Sequence, residues 1–334
     1  SNNIVHYCFR VECNVIWYLG LKASTFSTST HKLTHLLIIC YCYNVCIFES
    51  NTGTISDQYD TKITPAGWTF TIWAFIYTWQ IIHVVYSLAF LCRKGSDGNY
   101  LYVNPEPLHY SFYIVYIINN LLNIGWIIAF DRSGKRPELL IIAMFLLWLI
   151  TFTLYICGVL ICKYLNSAGA TLEQSSNVKD IWMIRMFTLN GIAFYGTWCT
   201  IASLLNFTIV LQYRTRVSEE MAVWISLGIL TVEIIAWFIL ETFVFDKHLR
   251  YCFSQYITLL VALSGLLSKQ ADSSKLEACT LYVIFLLSIT AVLSLVKFCI
   301  MVFRGSRKPI VYSHIEPTCG DAGAEAQWSG WYSI

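Results

Sequence analysis

The sequence predicts an all-α fold, a polytopic transmembrane helical bundle of about eight spans, and three observations carry that reading. Of 334 residues, 57% are hydrophobic and only 13% are charged, against about 25% charged in an ordinary soluble domain. Apolar stretches of membrane-spanning length recur along the whole chain. The loops between them are short and leave no room for an extramembrane catalytic domain. A net charge of +2, without a basic stripe interleaved with aromatics, gives no nucleic-acid signature. The lipid bilayer is the first expected partner, and the protein is expected to be an integral, multi-pass membrane protein.

Residues 1–32 form an N-terminal segment without the basic region, apolar core and small-residue cleavage site of a signal peptide, so none is expected. The first span, Leu33 to Phe48, is short, and Lys32 can snorkel to extend it. The second opens at the turn Thr64-Pro65-Ala66-Gly67 and runs without Asp, Glu, Lys or Arg from Trp68 to Cys92. The third, Ser111 to Phe130, is closed by a charged turn beginning Asp131-Arg132, and the fourth runs uncharged from Leu139 to Cys162. The fifth, Ile181 to Tyr213, is too long for one crossing. Asn190-Gly191 offers a bend, with Ile181–Leu189 expected beyond or along the interface. Met221 to Phe245, Tyr251 to Ser268 and Ala278 to Phe303 complete the set, and residues 305–334 read as a loosely ordered tail.

Polar residues inside such spans usually face other helices, because burying them without a partner is costly. Gln80, His83, Asn119, Asn120, Asn190 and Asn206 are therefore expected to bond between helices. Glu233 is the sharpest of the set, deep in the sixth span, where an acid must be protonated, paired or facing water. It is a candidate proton-relay residue, with Arg185 and Lys297 as partners to be placed; Glu241, two turns on, is expected to be solvated. The 13 cysteines lie mostly in apolar runs and suggest neither a disulfide framework nor a metal site. No HExxH, Gly-x-Ser-x-Gly or phosphate loop occurs, so an enzyme is not expected.

Three motifs carry a family resemblance. Trp73-Ala-Phe-Ile-Tyr77 on the second span, Asn123-Ile-Gly-Trp126-Ile-Ile-Ala-Phe130 on the third and Trp198-Cys-Thr-Ile-Ala202-Ser-Leu-Leu-Asn206 on the fifth occur in order. Together they resemble the tryptophan-rich sensory protein/translocator protein (TspO/MBR) family, over about residues 33–213. The stretch Trp68-Thr-Phe70-Thr-Ile-Trp73 departs from the family's spacing and lacks its second proline. The three spans of residues 214–304 exceed its five helices. With the run from Ser56-Asp57 to Gly67-Trp68, they are similar to an extended eukaryotic member.

The resemblance implies a five-helix core with an aromatic-lined pocket that binds, and could translocate, a planar hydrophobic ligand of the porphyrin (tetrapyrrole) or sterol class. Carried over residue by residue, the ligand-binding set is Trp68, Trp73, Tyr77, Asn123, Trp126, Trp198 and Asn206. Flat aromatic faces suit planar rings, and amides can orient polar edges. Self-association into a homo-oligomer is a further expectation. The competing readings are a proton- or ion-coupled small-molecule transporter using Glu233 and, more remotely, a helical membrane receptor suggested by Asp131-Arg132.

Overall fold

The computed structural model describes residues 52–307, apart from 91, 95–97, 99, 175–176 and 271–276, together with 310 and 312. The segment 1–32, the first expected span and most of the tail fall outside the described residues. What is described is helical: α1 (Thr52–Gln58), a 3-10 turn (Gly67–Thr71) leading into α2 (Ile72–Ala89), α3 (Tyr110–Ser133), α4 (Leu139–Gln174), α5 (Val178–Arg214), α6 (Glu219–Val244), the single turn α7 (Asp246–Leu249), α8 (Ser254–Gln270) and α9 (Ala278–Arg307).

Among the described residues, six helices are long and apolar enough to cross a membrane: α2 with its leading turn, α3, α4, α5, α6 and α9. The protein is thus a polytopic helical bundle. The expected span at Tyr251–Ser268 is a helix over nearly the same residues, Ser254–Gln270. Its helix, α8, has 17 residues, about 25 Å of rise, because Tyr251 to Phe253 lie outside it. It packs against α5 and α9, with Leu259, Leu263 and Leu266 buried.

Helix α4 shows why these segments fold as a bundle in lipid. Leu140, Ala143, Leu147, Ile150, Leu154, Cys157 and Ile161 recur every three or four residues and are buried. The outward face carries Ile142, Phe145, Leu149, Phe152 and Val159, which are as apolar as the inner one. That is the pattern of a helix solvated by lipid on one side and by protein on the other. It packs chiefly against α3 and α5. Asn119 of α3 donates to Ile150 O (3.0 Å) and Thr153 Oγ1 (2.8 Å) of α4, locking that pair by an interhelical amide.

Two helices run past their expected ends. α4 continues beyond Cys162 to Gln174, since no proline or capping signal interrupts it. α3 takes Asp131 and Arg132 into its last turn rather than into a loop.

The long fifth segment differs more. It is helical through Asn190-Gly191, and within Ile181–Leu189 the side chains of Ile181, Ile184, Arg185 and Leu189 are buried against α2 and α4. The irregularity is a π turn at Ile184–Leu189. Asn190 bonds both its own helix, donating to Arg185 O (2.9 Å), and the segment that leads into α8. Its Oδ1 accepts the N–H groups of Phe253 (3.0 Å) and Ser254 (3.2 Å), and its Nδ2 donates to Tyr251 O (2.9 Å). These bonds satisfy the start of α8, whose first N–H groups have no partner inside their own helix.

The run before Trp68 ties the later helices to the earlier ones. Tyr59 donates to Ser133 O (2.6 Å), Ala66 N–H to Gly265 O (3.0 Å), and Lys269 pairs with Asp60 (2.6 Å) and Asp57 (3.1 Å). Gly265 has to be glycine here, because a Cβ would lie 2.0 Å from Thr69 Oγ1.

Candidate functional site

Helices α2, α3 and α5 each bring one tryptophan to a common centre. Trp73 stacks on Trp126 (centroids 5.4 Å, planes 29° apart) and on Tyr77 (5.7 Å, 24°), and meets Trp198 edge-on (6.2 Å, 88°). Tyr195 adds a further edge contact at 6.1 Å, and Trp126 stacks on Phe130 at 5.6 Å. Helical spacing delivers this: Tyr195, Trp198, Ala202 and Asn206 fall on one face of α5, and Asn123, Trp126 and Phe130 on one face of α3. All of these but Tyr77, which is half-buried, are buried.

The cluster carries more polar atoms than it pairs. Among the described residues, Trp73 Nε1, Trp126 Nε1, Trp198 Nε1, Asn123 Nδ2 and Asn206 Oδ1 are buried without a hydrogen-bond partner. Asn206 uses its Nδ2 on Ala202 O at 3.1 Å. Four of the five unpaired atoms are donors, and buried donors left unpaired are costly. Trp68 stands apart from the rest: it is 48% exposed, in the 3-10 turn before α2.

The neighbouring polar residues are satisfied between helices. Tyr116 donates to Gln80 Oε1 (2.8 Å), and His83 Nδ1 meets Thr188 Oγ1 (3.1 Å). Asn120 turns back to its own helix, donating to Tyr116 O (2.7 Å).

The acids are arranged differently from expectation. Glu241 is fully buried rather than solvated. It pairs with Lys297 (3.5 Å) and accepts hydrogen bonds from Gln255 and Tyr256. Lys297 is therefore Glu241's partner. Arg185 is engaged with Tyr312, to whose hydroxyl it donates at 2.5 Å, and with the rings of Trp182 and Tyr251. Neither of the two cations proposed for Glu233 is its partner, and Glu233 Oε2 is buried without a hydrogen bond among the described residues. Nothing in the sequence marked Tyr195, Gln255 or Tyr256, and nothing in it joined Glu241 to Lys297, because the group's members lie on three different helices.

Fold and ring cluster define a class: a polytopic helical integral membrane protein built around a tryptophan centre shared by three helices. Within that class the chain matches the TSPO-like protein family over residues 27–300, and it belongs to that family. The match takes in α6 to α8 and most of α9 as well as the helices that carry the ring cluster. No curated protein and no solved structure matches the chain.

Proposed function

We propose that this TSPO-like membrane protein binds a flat hydrophobic molecule, of the porphyrin or sterol class, between the rings around Trp73. The observation that carries the reading is the set of indole N–H groups of Trp73, Trp126 and Trp198, buried together from three helices and lacking acceptors among the described residues. Because the rings touch one another, a guest enters by intercalation. One ring–ring contact is exchanged for two ring–guest contacts, each worth roughly 0.5–1.5 kcal/mol, so opening the stack is offset by filling it. The surplus of donors favours a guest whose edge presents oxygen acceptors, which a tetrapyrrole with carboxylate arms supplies more fully than a sterol with one hydroxyl.

The test is a titration of detergent-purified protein with a porphyrin, read by tryptophan fluorescence. Saturable quenching is expected. Replacing Trp73 and Trp126 together by Ala should weaken binding by about tenfold or more, from two lost ring contacts of roughly 0.5–1.5 kcal/mol each. Quenching that rises linearly with porphyrin in the native protein overturns the proposal.

A further inference from the structure

On the face of α5 turned away from the tryptophan centre lies a cavity of about 450 Å³, enclosed by α4, α5, α6 and α8. Its size falls within the range of small-molecule sites, and its walls are almost wholly apolar, with Leu154, Ile201, Leu230 and Leu259 among them. Tyr155 of α4 and Trp237 of α6 flank it with ring centroids 6.0 Å apart. Tyr155, Val159 and Leu240 on its rim are exposed, so the cavity borders the lipid-facing side of the bundle.

Most polar groups on its wall are already engaged. Tyr155 and Thr200 pair through their hydroxyls at 2.8 Å, Thr197 bonds back to Ala193 O, and Gln255 and Tyr256 are held by Glu241. Two are not. Glu233 and Trp237 line the cavity, and Glu233 Oε2 and Trp237 Nε1 are buried and lack a hydrogen-bond partner among the described residues. They stand four residues apart on α6, hence side by side on one face. The indole N–H can only donate, and the carboxyl oxygen accepts.

That pairing selects a head group. A hydroxyl accepts from the indole and donates to the carboxyl. An ammonium cannot accept from the indole, and an ether or ketone cannot donate to a carboxylate, whereas a hydroxyl serves the carboxyl whether it is ionised or protonated. The remaining wall calls for a hydrocarbon body. We propose that this cavity is a second binding site, separate from the tryptophan centre, for a neutral mono-alcohol drawn from the bilayer, whose hydroxyl bridges Glu233 and Trp237.

The test uses the full chain in lipid nanodiscs with a photoactivatable long-chain alcohol and its methyl ether, the labelled peptides being mapped by mass spectrometry. The alcohol is expected to label peptides from α4 around Tyr155–Val159 and from α6 around Leu230–Trp237, saturably. The ether should label them roughly tenfold less, from one lost hydrogen bond. Glu233→Leu should lower alcohol labelling several-fold and leave ether labelling unchanged, whereas Trp237→Phe, which keeps a ring in place, should lower labelling by both, since the ether oxygen also accepts from the indole. Trp73→Ala with Trp126→Ala should leave alcohol labelling intact while porphyrin binding weakens about tenfold or more, so the two sites fail or stand separately. Equal labelling by alcohol and ether in the native protein overturns the proposal, as does undiminished alcohol labelling in either single variant.

Discussion

Lys297 of α9 and Glu241 of α6 meet 3.5 Å apart, with 3% and 0% of their side chains exposed, an ion pair sealed inside the bundle. Glu241 sits in a π turn, Leu240–Val244, that turns Glu241 and Thr242 inward while Leu240 and Phe243 stay exposed. Gln255 and Tyr256 of α8 supply further donors, and Lys297 also donates to Leu249 O at 3.3 Å. Three helices are joined through one carboxylate.

A buried pair of this kind is costly to break from one side, because the survivor is left as an unpaired charge; losses run to roughly 3–5 kcal/mol, whereas replacing both partners by apolar residues is often near neutral. Lys297→Met alone and Glu241→Leu alone should therefore lower the midpoint of thermal unfolding in detergent sharply. The double variant should recover much of the loss. If it is instead as unstable as the two single losses added together, the groups are not coupled.

Tyr312 reaches into the bundle beside Gly169 of α4, where a Cβ would lie 2.2 Å from its ring. Its hydroxyl receives a hydrogen bond from buried Arg185, which also packs over the rings of Trp182 and Tyr251. Gly169→Val should expel Tyr312, at a cost of about 1–3 kcal/mol in overpacking. Tyr312→Phe keeps the ring and removes only the bond. Limited trypsin digestion should then cut after Arg307 fastest in Gly169→Val and at an intermediate rate in Tyr312→Phe. Equal rates in all three proteins would show that Tyr312 does not hold this end of the chain.

Asp246, just past α6, accepts from Arg250 (2.6 Å) and Arg304 (2.9 Å). Partial burial by itself would raise its pKa, but the hydrogen bonds and charges of the two arginines outweigh burial and hold the carboxyl below its ordinary value. The folded pKa is thus lower than the unfolded one, near 3.9. The stabilisation is complete above that unfolded value and is lost as pH falls through the depressed folded value. Unfolding midpoints measured from pH 7 downward should fall more steeply for the native protein than for Asp246→Asn below about pH 4, the two curves converging at the acid end. Parallel curves would remove the assignment.

Much of the helix layout was legible because lipid leaves the backbone few choices. An uncharged run such as Trp68 to Cys92 must satisfy its own N–H and C=O groups, and a helix does so. The motif residues Trp73, Trp126 and Trp198 were legible through the family resemblance that their motifs carry; that the three rings meet is the work of the tertiary structure. What was not legible at Asn190 is that it holds the start of α8, because its partners there, the N–H groups of Phe253 and Ser254, are remote in sequence.

By itself, then, the sequence determined that this chain is a helical membrane protein, where its main spans lie, and which ring-bearing residues share a family pattern. Tertiary structure decided which acid is sealed in an ion pair, that Trp68 stays outside the ring centre, and that α5 has the tryptophans on one side and a cavity on the other. The reason is the solvent. In water, hydropathy separates the inside of a helix from its outside. In lipid both faces are apolar, as on α4, so what is inside is set by shape and polar pairing between distant segments.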